Sequence, residues 1–316
     1  MTQPTIIAAG LACLDVMGID SENIPRLSTG GFPNALIILK TKGWNSIAIA
    51  DLGADRAGYY VLEELIDWGV DTRFVQRIPD INTPIYVLYH KNKDHFYGKE
   101  CPYCQTHFPL YSPIKSEIIE KILPELPTQV NMFYFDKVAQ SLITLARHYK
   151  EQSTLTMFEP NRIDDPELFR QSAAISCIMK YSSDRRSGVQ AVTNSLPIPL
   201  EIETAGQQGL HYRIFSNGSR SAWRSLPSIT SSDFVDAAGA GDWLTASLID
   251  SLCCDFYSII ADQPHLEEIL IKGQSASAEN CKYTGARGLL YKDRNMLRGN
   301  DFCPYCHGNN NQKDAC

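Results

Sequence analysis

Long apolar runs, long charge runs and low-complexity segments are all missing from this sequence of 316 residues. No stretch approaches the ~20 consecutive apolar residues that a membrane-spanning helix needs. Residues 1–4 have neither the positive charge nor the apolar run of a signal peptide. With 29 basic and 36 acidic residues, the net charge of −7 argues against a broad surface for nucleic acid or anionic membranes. We therefore expect a cytoplasmic protein with no membrane partner and no nucleic-acid partner.

What the sequence does contain is typical of a globular chain. Hydrophobic residues make up 44% of the positions and charged residues 21%, which is enough apolar material for a substantial core. No internal repeat and no low-complexity linker divides the chain. We expect one large domain over residues 1–299, followed by a polar, cysteine-containing tail over residues 300–316.

Short apolar segments alternate with segments of helical spacing along most of the chain. Strands are predicted at residues 5–9, 46–51, 131–135, 155–158, 175–179 and 200–204. Helices are predicted at residues 34–40, 61–70 and 116–123, the last with Ser116 as N-cap, and from Asp165 and Pro166 onward. An extended hairpin over residues 85–89 and 95–97, with its turn at 91–94, interrupts the pattern. The alternation predicts an α/β fold with a mostly parallel sheet covered by helices on both faces.

The most specific local signal is the segment DAAGAGD at residues 236–242, which precedes an apolar helical run. Small residues let the backbone turn tightly and bring several unpaired N–H groups to the start of a helix, which favours a bound anion. A carboxylate at position 242 would repel phosphate unless it acts as a base or meets a metal or a substrate hydroxyl. Phosphoryl transfer uses that combination of an anion site and a base. The simpler alternative is a helix start that Asp242 merely caps.

Residues 236–242 also resemble the C-terminal signature Asp-Thr-x-Gly-Ala-Gly-Asp of the ribokinase-like (PfkB) family of carbohydrate kinases, with Ala237 in place of the usual Thr. Further resemblances follow in the family's order. Residues 9–16 resemble its first strand with a sugar-binding Asp, and residues 30–35 its Gly-Gly…Asn-Ala signature with a spacing one residue shorter. Residues 51–58 resemble its Leu-Gly-x-Asp-x-x-Gly turn, residues 204–209 its Thr-x-Gly-x-x-Gly nucleotide loop, and residues 278–286 the late helix that borders the adenine.

The resemblance implies a fold, a pair of substrates and a set of site residues. The fold is a three-layer α/β/α sandwich with a small β lid supplied by residues 11–26 and 73–100. The substrates are ATP with Mg²⁺ as phosphate counter-ion and a sugar-like alcohol as acceptor, and the lid suggests a homodimer. The implied catalytic set is the base Asp242 and the anion hole of Gly239, Ala240 and Gly241. The implied acceptor-binding set is Asp15, Gly30, Gly31 and Asn34, and the implied nucleotide-binding set is Lys180, Thr204, Gly206, Gly209 and Asn280.

Several of these residues also have an ordinary structural explanation. Asp15 and Asn34 suit a polyol, because a carboxylate and an amide together accept and donate hydrogen bonds. Asp15 equally suits a turn cap after a strand, and Gly30 and Gly31 suit a plain loop before a buried helix. Thr204 suits the end of any strand.

Two strand ends carry charged residues that bear on substrate binding. Residues 158–162 resemble a strand-end Asp-x-Asn-x-Arg element of the fructokinase and ketodeoxygluconate kinase branches, in which Arg162 would pair with an acidic or phosphate group. A surface arginine is the alternative. The family usually has Lys-x-Asn-x-x-Glu at the next strand end, but residues 180–185 read KYSSDR. Ser182 replaces the Asn and Arg185 falls where the Glu would be, so either Asp184 substitutes or Mg²⁺ handling is altered.

The tetrapeptide Cys-Pro-Tyr-Cys occurs twice, at residues 101–104 and 303–306. Two Cys-x-x-Cys turns are the usual components of a tetrahedral four-cysteine zinc site. We predict a structural Zn²⁺ that ties the C-terminal tail to the end of the hairpin. Its ligands would be Cys101, Cys104, Cys303 and Cys306, with His107, His307 or Cys316 as possible replacements. Free thiols and glutaredoxin-like redox pairs remain alternatives, although a redox pair needs a following helix that residues 105–109 do not predict.

Three functions are compatible with these patterns. The first is an ATP-dependent kinase that acts on a sugar or a sugar-derived hydroxyl with Asp242 as base. The second is a sugar or nucleotide sensor on the same fold, suggested by the altered segment at residues 180–185. The third is a zinc- or thiol-dependent redox protein, suggested by the cysteine pairs alone. The intact Asp242 favours the kinase.

Overall fold

The structure is a computed structural model that describes residues 3–19, 21–91, 94–160 and 162–306, without the side chains of residues 90–91 and 94–95. The strands are β1 (Thr5–Ala9), β2 (Ala12–Met17), β3 (Arg26–Gly31), β4 (Asn45–Gly53), β5 (Asp71–Ile78), β6 (Ile85–Lys91), β7 (Asp94–Gly98), β8 (Met132–Phe135), β9 (Leu155–Phe158), β10 (Ile178–Ser182), β11 (Leu200–Thr204), β12 (Leu210–Ser216), β13 (Ser219–Arg220), β14 (Arg224–Leu226) and β15 (Leu297–Arg298). The helices are α1 (Pro33–Thr41), α2 (Arg56–Asp67), α3 (Ser116–Ile122), α4 (Gln140–Glu151), α5 (Pro166–Ile175), α6 (Arg186–Thr193), α7 (Ala240–Leu252), α8 (Phe256–Ala261) and α9 (Gln263–Asn280).

A large sheet forms the centre of the molecule, in the order β13-β12-β11-β10-β9-β8-β1-β4-β5, with β14 also paired to β12. Every pair from β11 to β5 is parallel, and β12 and its neighbours continue the sheet in antiparallel fashion. The predicted mostly parallel sheet is confirmed, and β1, β9 and β11 begin and end where the sequence places them.

Alternation along the strands divides the core between the two faces of this sheet. In β1, Ile6 and Ala8 pack with α1, α2, α7, α8 and α9, whereas Ile7 and Ala9 pack with α3, α4, α5 and α6. Successive side chains of a strand point to opposite faces, so a strand covered on both sides is apolar throughout. The three-layer α/β/α sandwich is therefore confirmed.

Several predicted boundaries are wrong, among them those of the helix expected at 61–70, which is α2 and runs from Arg56 to Asp67. The strand expected at 175–179 is β10, which begins only at Ile178 because Ile175 belongs to the end of α5. There the Ser176 hydroxyl donates to the Ser172 carbonyl at 2.7 Å, and the chain turns before the strand starts. Ser116 is the first residue of α3 rather than its N-cap, and Lys115 precedes it without a side-chain cap. By contrast, Asp165 does cap α5, since its carboxylate accepts from the backbone N–H groups of Glu167 and Leu168.

A second, five-stranded sheet lies beside the first in the order β15-β3-β2-β6-β7. It includes most of the predicted lid. Of the turn predicted at 91–94, Lys91 and Asp94 are the paired ends of β6 and β7, and residues 92–93 lie outside the described part of the chain. The predicted start of the second lid segment at residue 73 is wrong. Asp71–Ile78 is β5, which pairs with β4 at the edge of the large sheet and not with the small sheet. The structure also adds β15, which pairs with β3. None of the helices that the structure describes has the length and apolar composition needed to span a bilayer.

Candidate active site

The loop at residues 236–239 turns sharply into α7 and presents the start of that helix. Gly239 has a φ of 74°, and a Cβ at this position would overlap the carbonyl oxygen of Ala286, so only glycine fits. Asp236 stabilises the turn, because its carboxylate accepts from the N–H of Ala238 at 2.9 Å and of Gly285 at 2.8 Å. The backbone N–H groups at the start of α7, together with its dipole, favour an anion.

Asp242 lies in the first turn of α7, beside this anion-binding arrangement. Its Oδ2 accepts a hydrogen bond of 2.8 Å from Nδ2 of Asn34, which comes from α1. Burial and the neighbouring Glu159 carboxylate raise the pKa of Asp242 to about 7, although Lys180 acts in the opposite direction. A carboxyl group with a pKa near neutrality is well matched to the work of a general base.

A buried arginine sets the orientation of Asn34. The guanidinium of Arg287 is fully buried; its Nη1 donates to the Thr29 carbonyl at 2.7 Å and to Asn34 Oδ1. Its Nη2 donates to Oε1 of Glu64 at 2.5 Å. Because Oδ1 of Asn34 faces Arg287, the amide nitrogen must face Asp242. Glu64, Arg287 and Asn34 thus form a continuous hydrogen-bonded path to the Asp242 carboxylate.

A buried ion pair lies on the other side of the loop. Nζ of Lys180, at β10, donates to Oε1 of Glu159, the residue after β9. Oε2 of Glu159 accepts from the hydroxyls of Thr245 at 2.6 Å and Tyr134 at 3.1 Å. A Cβ on Gly241 would lie 3.5 Å from Lys180 Nζ and 3.7 Å from Glu159 Oε1, so both charges of the ion pair adjoin the anion-binding backbone.

Asp15 is buried in β2, and the neighbouring strand β3 ends with Gly30 and Gly31. A Cβ on Gly30 would overlap the Asp15 carboxylate. Gly31 has a φ of 80°, and a Cβ there would overlap the Leu11 carbonyl oxygen. Burial raises the pKa of Asp15 to about 7. The two glycines therefore leave the space that the carboxylate and the turn into α1 occupy.

A cavity of about 670 Å³ opens over these groups, and we call it the Asp242 cavity. It brings together five residues that the sequence predicts for catalysis or acceptor binding, namely Asp15, Gly31, Asn34, Arg162 and Asp242. Its remaining wall is mostly aromatic, apolar and basic, with Tyr86, Tyr97, Leu110, Tyr111, Lys99 and Lys137, and it also includes the acidic Asp164, which pairs with Arg162 at 2.8 Å. Burial lowers the pKa of Lys137, while the neighbouring Asp136 opposes this effect.

The residues predicted to bind nucleotide do not line the Asp242 cavity. Thr204 ends β11, where its hydroxyl donates to the Tyr181 carbonyl at 3.3 Å, and Gly206 is exposed in the following turn. Gly209 is buried against β14. Asn280 is fully buried, and its Nδ2 donates to the Ala238 carbonyl at 3.1 Å. In this structure Asn280 supports the 236–239 loop from behind, and nucleotide contact by these residues stays a prediction.

The altered segment at residues 180–185 forms the end of β10 and a short helical turn. Ser182 ends the strand and Asp184 is exposed. Arg185 lines the Asp242 cavity, and its Nη1 donates to the Pro160 carbonyl at 3.1 Å. Position 185, where the resemblance predicts a carboxylate, thus holds a cation on the cavity wall.

Sequence reasoning missed Glu64, Glu159 and Arg287. Glu159 follows a predicted strand, so its place at the carboxyl edge of the sheet was available as a signal. Glu64 has the spacing of an ordinary residue on an amphipathic helix, and Arg287 follows a short glycine-containing segment. Nothing in the local pattern of these two residues predicts that they form a buried pair across more than two hundred positions.

The two Cys-Pro-Tyr-Cys segments meet in space. The sulfur atoms of Cys101, Cys104, Cys303 and Cys306 all lie within 4.8 Å of one another. This is the grouping that the sequence predicts for a metal site. Cys101 and Cys303 are buried, and the other two are partly exposed.

Comparisons with known proteins show similarity in structure alone. No protein-family model matches the sequence, and no curated protein matches it. A fructokinase from Xylella fastidiosa with bound ATP superposes with a TM-score of 0.70 at 14% identity, covering 90% of this chain and 94% of its own. An aminoimidazole riboside kinase from Salmonella enterica, complexed with aminoimidazole riboside and an ATP analog, gives 0.66 at 20% identity, with coverages of 90% and 96%. A nucleoside kinase from Burkholderia thailandensis in complex with inosine gives 0.65 at 14% identity, with coverages of 89% and 93%. The chain therefore has the same fold as these three kinases.

Proposed function

We propose that the protein is an ATP-dependent kinase of the PfkB family that phosphorylates a hydroxyl of a sugar or a sugar-derived molecule. The observation that carries the proposal is the position of Asp242. Its carboxylate lies in a cavity of substrate size, accepts from Asn34 at 2.8 Å, and adjoins the backbone N–H groups that begin α7. A base beside an anion-binding helix start is the arrangement that phosphoryl transfer to an alcohol requires.

In the proposed reaction, Asp242 accepts the proton of the acceptor hydroxyl while that oxygen bonds to the γ-phosphorus of ATP. The bond from the γ-phosphorus to the bridging oxygen breaks, and ADP leaves with the electron pair. The backbone N–H groups of Gly239, Ala240 and Gly241 stabilise the negative charge on the transferred group. Lys180 adds a positive charge beside them, which its ion pair with Glu159 partly offsets.

Mg²⁺ enters this proposal as part of the nucleotide substrate. Magnesium in kinases is usually held by one or two carboxylates together with phosphate oxygens and water. Among the described residues, Asp184 is an exposed carboxylate at the end of β10, whereas Glu159 is already paired with Lys180. The donor set therefore fits a magnesium ion that is bound mainly by the nucleotide, with Asp184 as its protein contact.

The Asp242 cavity suits a polar acceptor of limited size. Asp15 and Asn34 offer hydrogen bonds to hydroxyl groups, and the small sheet contributes Tyr86 and Tyr97 from β6 and β7. Arg185 adds positive charge, which extends the candidate acceptors from neutral sugars to sugar acids, whereas Arg162 is already paired with Asp164 at 2.8 Å. Closure of the small sheet over the acceptor would exclude water, a competing acceptor of the phosphoryl group.

The second candidate is a sensor on the same fold that binds without turnover. Arg185 in the cavity is the observation that favours it, because a cation there changes how phosphate and magnesium are held. The structure retains Asp242, Asn34 and the α7 start, so we favour the kinase.

The experiment that separates the two functions measures ADP formation from ATP and Mg²⁺ with a panel of sugars, sugar acids and nucleosides. ADP formation that depends on one class of acceptor would support the kinase and identify its substrate. No ADP with any acceptor, together with calorimetric binding of ATP or a panel member, would support the sensor. Arg185→Glu, which restores the family's charge at this position, tests in the same assay whether the cation suppresses turnover.

A further inference from the structure

The four-cysteine cluster, formed by Cys101, Cys104, Cys303 and Cys306, has the dimensions of a metal site. The sulfur atoms of Cys101 and Cys306 are 3.6 Å apart, and those of Cys104 and Cys303 are 3.8 Å apart. A tetrahedral zinc ion with Zn–S bonds of about 2.3 Å places its sulfur ligands about 3.8 Å apart. A disulfide bond of about 2.05 Å would draw a pair much closer together. The spacing therefore fits four thiolates around one ion better than two disulfides.

The surroundings of the sulfur atoms are also those of thiolate ligands. The backbone N–H groups of Tyr103 and Cys104 donate to the sulfur of Cys101. In the second tetrapeptide, the corresponding groups of Tyr305 and Cys306 donate to the sulfur of Cys303. Backbone donors of this kind orient metal ligands and stabilise their negative charge. The two tetrapeptides thus present equivalent half-sites to a common centre.

The cluster joins chain segments that leave the two opposite edges of the small sheet. Strand β7 forms one edge and ends at Gly98, three residues before Cys101. Strand β15 forms the other edge and ends at Arg298, five residues before Cys303. Between the two segments, the rings of Phe108 and Phe302 are buried with their centroids 6.4 Å apart. A metal ion at this point would connect both edges of the sheet.

The segment after β7 also forms a wall of the Asp242 cavity. Lys99, Leu110, Tyr111 and Pro113 all line it. The two sides of this segment, before and after the turn at residues 101–104, are joined by a hydrogen bond of 2.8 Å from the Phe108 N–H to the Lys99 carbonyl. From Pro109 to Lys115 the chain has neither helix nor strand, so this part of the wall is held between the turn at residues 101–104 on one side and α3, which begins at Ser116, on the other.

We propose that the four-cysteine cluster binds one structural Zn²⁺, and that this ion holds residues 99–113 in place as a wall of the Asp242 cavity. Four thiolates leave no coordination position for water, so the ion takes no part in chemistry. Its contribution is to position the wall against which the acceptor lies. The part that concerns the acceptor rests on the proposed kinase function, whereas metal binding and the support of the wall do not.

The test uses the full chain, purified under reducing conditions, and does not depend on activity. Elemental analysis should find about one zinc per chain. The double variant Cys104→Ser/Cys306→Ser should lose it, and Cys254→Ser, which changes an exposed cysteine outside the cluster, should retain it. A chain with no bound metal, or with iron in place of zinc, would overturn the assignment.

Hydrogen–deuterium exchange then tests the support of the wall. Removal of the metal from the unmodified chain with a chelator should speed exchange about tenfold or more in peptides over residues 99–113 and 297–306. Peptides from β8, β9 and β10 should not change, and added Zn²⁺ should restore protection. Unchanged exchange in the wall, or equal acceleration throughout the chain, would contradict the proposal even if zinc is bound. Because this readout needs no acceptor, it separates failure of the zinc proposal from failure of the kinase proposal.

Once an acceptor is known, the same preparations provide a kinetic test. Loss of the metal should raise the KM for the acceptor by about tenfold or more while the KM for ATP stays within about twofold, because the wall faces the cavity and not the predicted nucleotide residues. An equal rise in both constants would contradict a role confined to the wall.

Discussion

Among single residues, the proposed reaction depends most on the protonation state of Asp242. Burial and Glu159 raise its pKa to about 7, so the carboxylate is mostly protonated at pH 6 and mostly ionised at pH 8. A general base works only in its ionised form. We expect kcat/KM to rise about tenfold for each pH unit below 7 and to level off above it. A pH–rate profile in the presence of a saturating concentration of ATP measures this, and a flat profile between pH 5.5 and 8 would contradict the assignment.

Arg287 and Glu64 make a second prediction at this scale. Both side chains are buried, and they are joined by a hydrogen bond of 2.5 Å. Removal of one partner leaves an uncompensated buried charge, which typically costs about 3–5 kcal/mol of unfolding free energy. We expect Arg287→Met to show a loss of that size, and Arg287→Met/Glu64→Gln to recover part of it. Urea denaturation of the wild type, both single variants and the double variant measures the coupling. Additive losses would show that the pair is not coupled.

At the scale of elements, the start of α7 depends on the conformation of one glycine. Gly239 has a φ of 74°, and a Cβ there would overlap the Ala286 carbonyl oxygen. Gly239→Ala should shift the backbone N–H groups away from the transferred phosphoryl group and lower kcat by about 10²–10³-fold.

The matched control for this variant is Gly218→Ala in the exposed turn between β12 and β13. Gly218 has a φ of 75°, but a Cβ there would meet no atom within 4 Å. This substitution carries the same backbone strain without the clash, so activity should stay within about twofold of the wild type. Equal losses in the two variants would show that backbone strain alone, and not the geometry of the loop, accounts for the effect.

The elements also show how far local sequence patterns predict the structure. The bounds of β1, β9 and β11 agree with the prediction residue by residue. β1 and β9 are short, mostly apolar runs, whereas β11, with the sequence LEIET, alternates apolar and charged residues. Strand β10 was predicted three residues early, because Ile175 and Cys177 continue the apolar run although a helix ends between them. Strand β15 was missed. Its two residues have no strand pattern of their own and are paired only because the chain passes β3 just before the tail.

At the scale of the whole molecule, the resemblance of several short motifs predicted the fold where no single segment could. Four residues from different motifs, Asp15, Gly31, Asn34 and Asp242, line one cavity in the structure. The Arg287–Glu64 pair was not predictable from the sequence, because it forms only when two distant segments pack together and bury both side chains. The meeting of the two cysteine pairs was predicted from spacing alone and is confirmed. A homodimer through the small sheet and a cytoplasmic location stay predictions.

The role of Asp242 as the base is best tested by comparing the turnover of the wild type with that of Asp242→Asn on an accepted acceptor, at pH 8. The amide keeps the size of the side chain and the contact with Asn34 but removes the base. We predict a loss in kcat of at least about 10²-fold. Asp250→Asn on the same helix is the control, because Asp250 contacts Lys42 and Trp44 instead and should leave turnover within about threefold.

The melting temperature of Asp242→Asn tests whether misfolding accounts for the loss of turnover. An Asp with a folded-state pKa of about 7 and an unfolded value of about 3.9 makes folding less favourable as the pH rises between these values. Above pH 7 the buried, ionised Asp242 therefore lowers the free energy of unfolding. Because Asp242→Asn removes this charge, its melting temperature at pH 8 should equal or exceed that of the wild type. A stable variant with at least about 10²-fold lower turnover is the predicted result. A stable variant that retains wild-type turnover would contradict the assignment of Asp242 as the base.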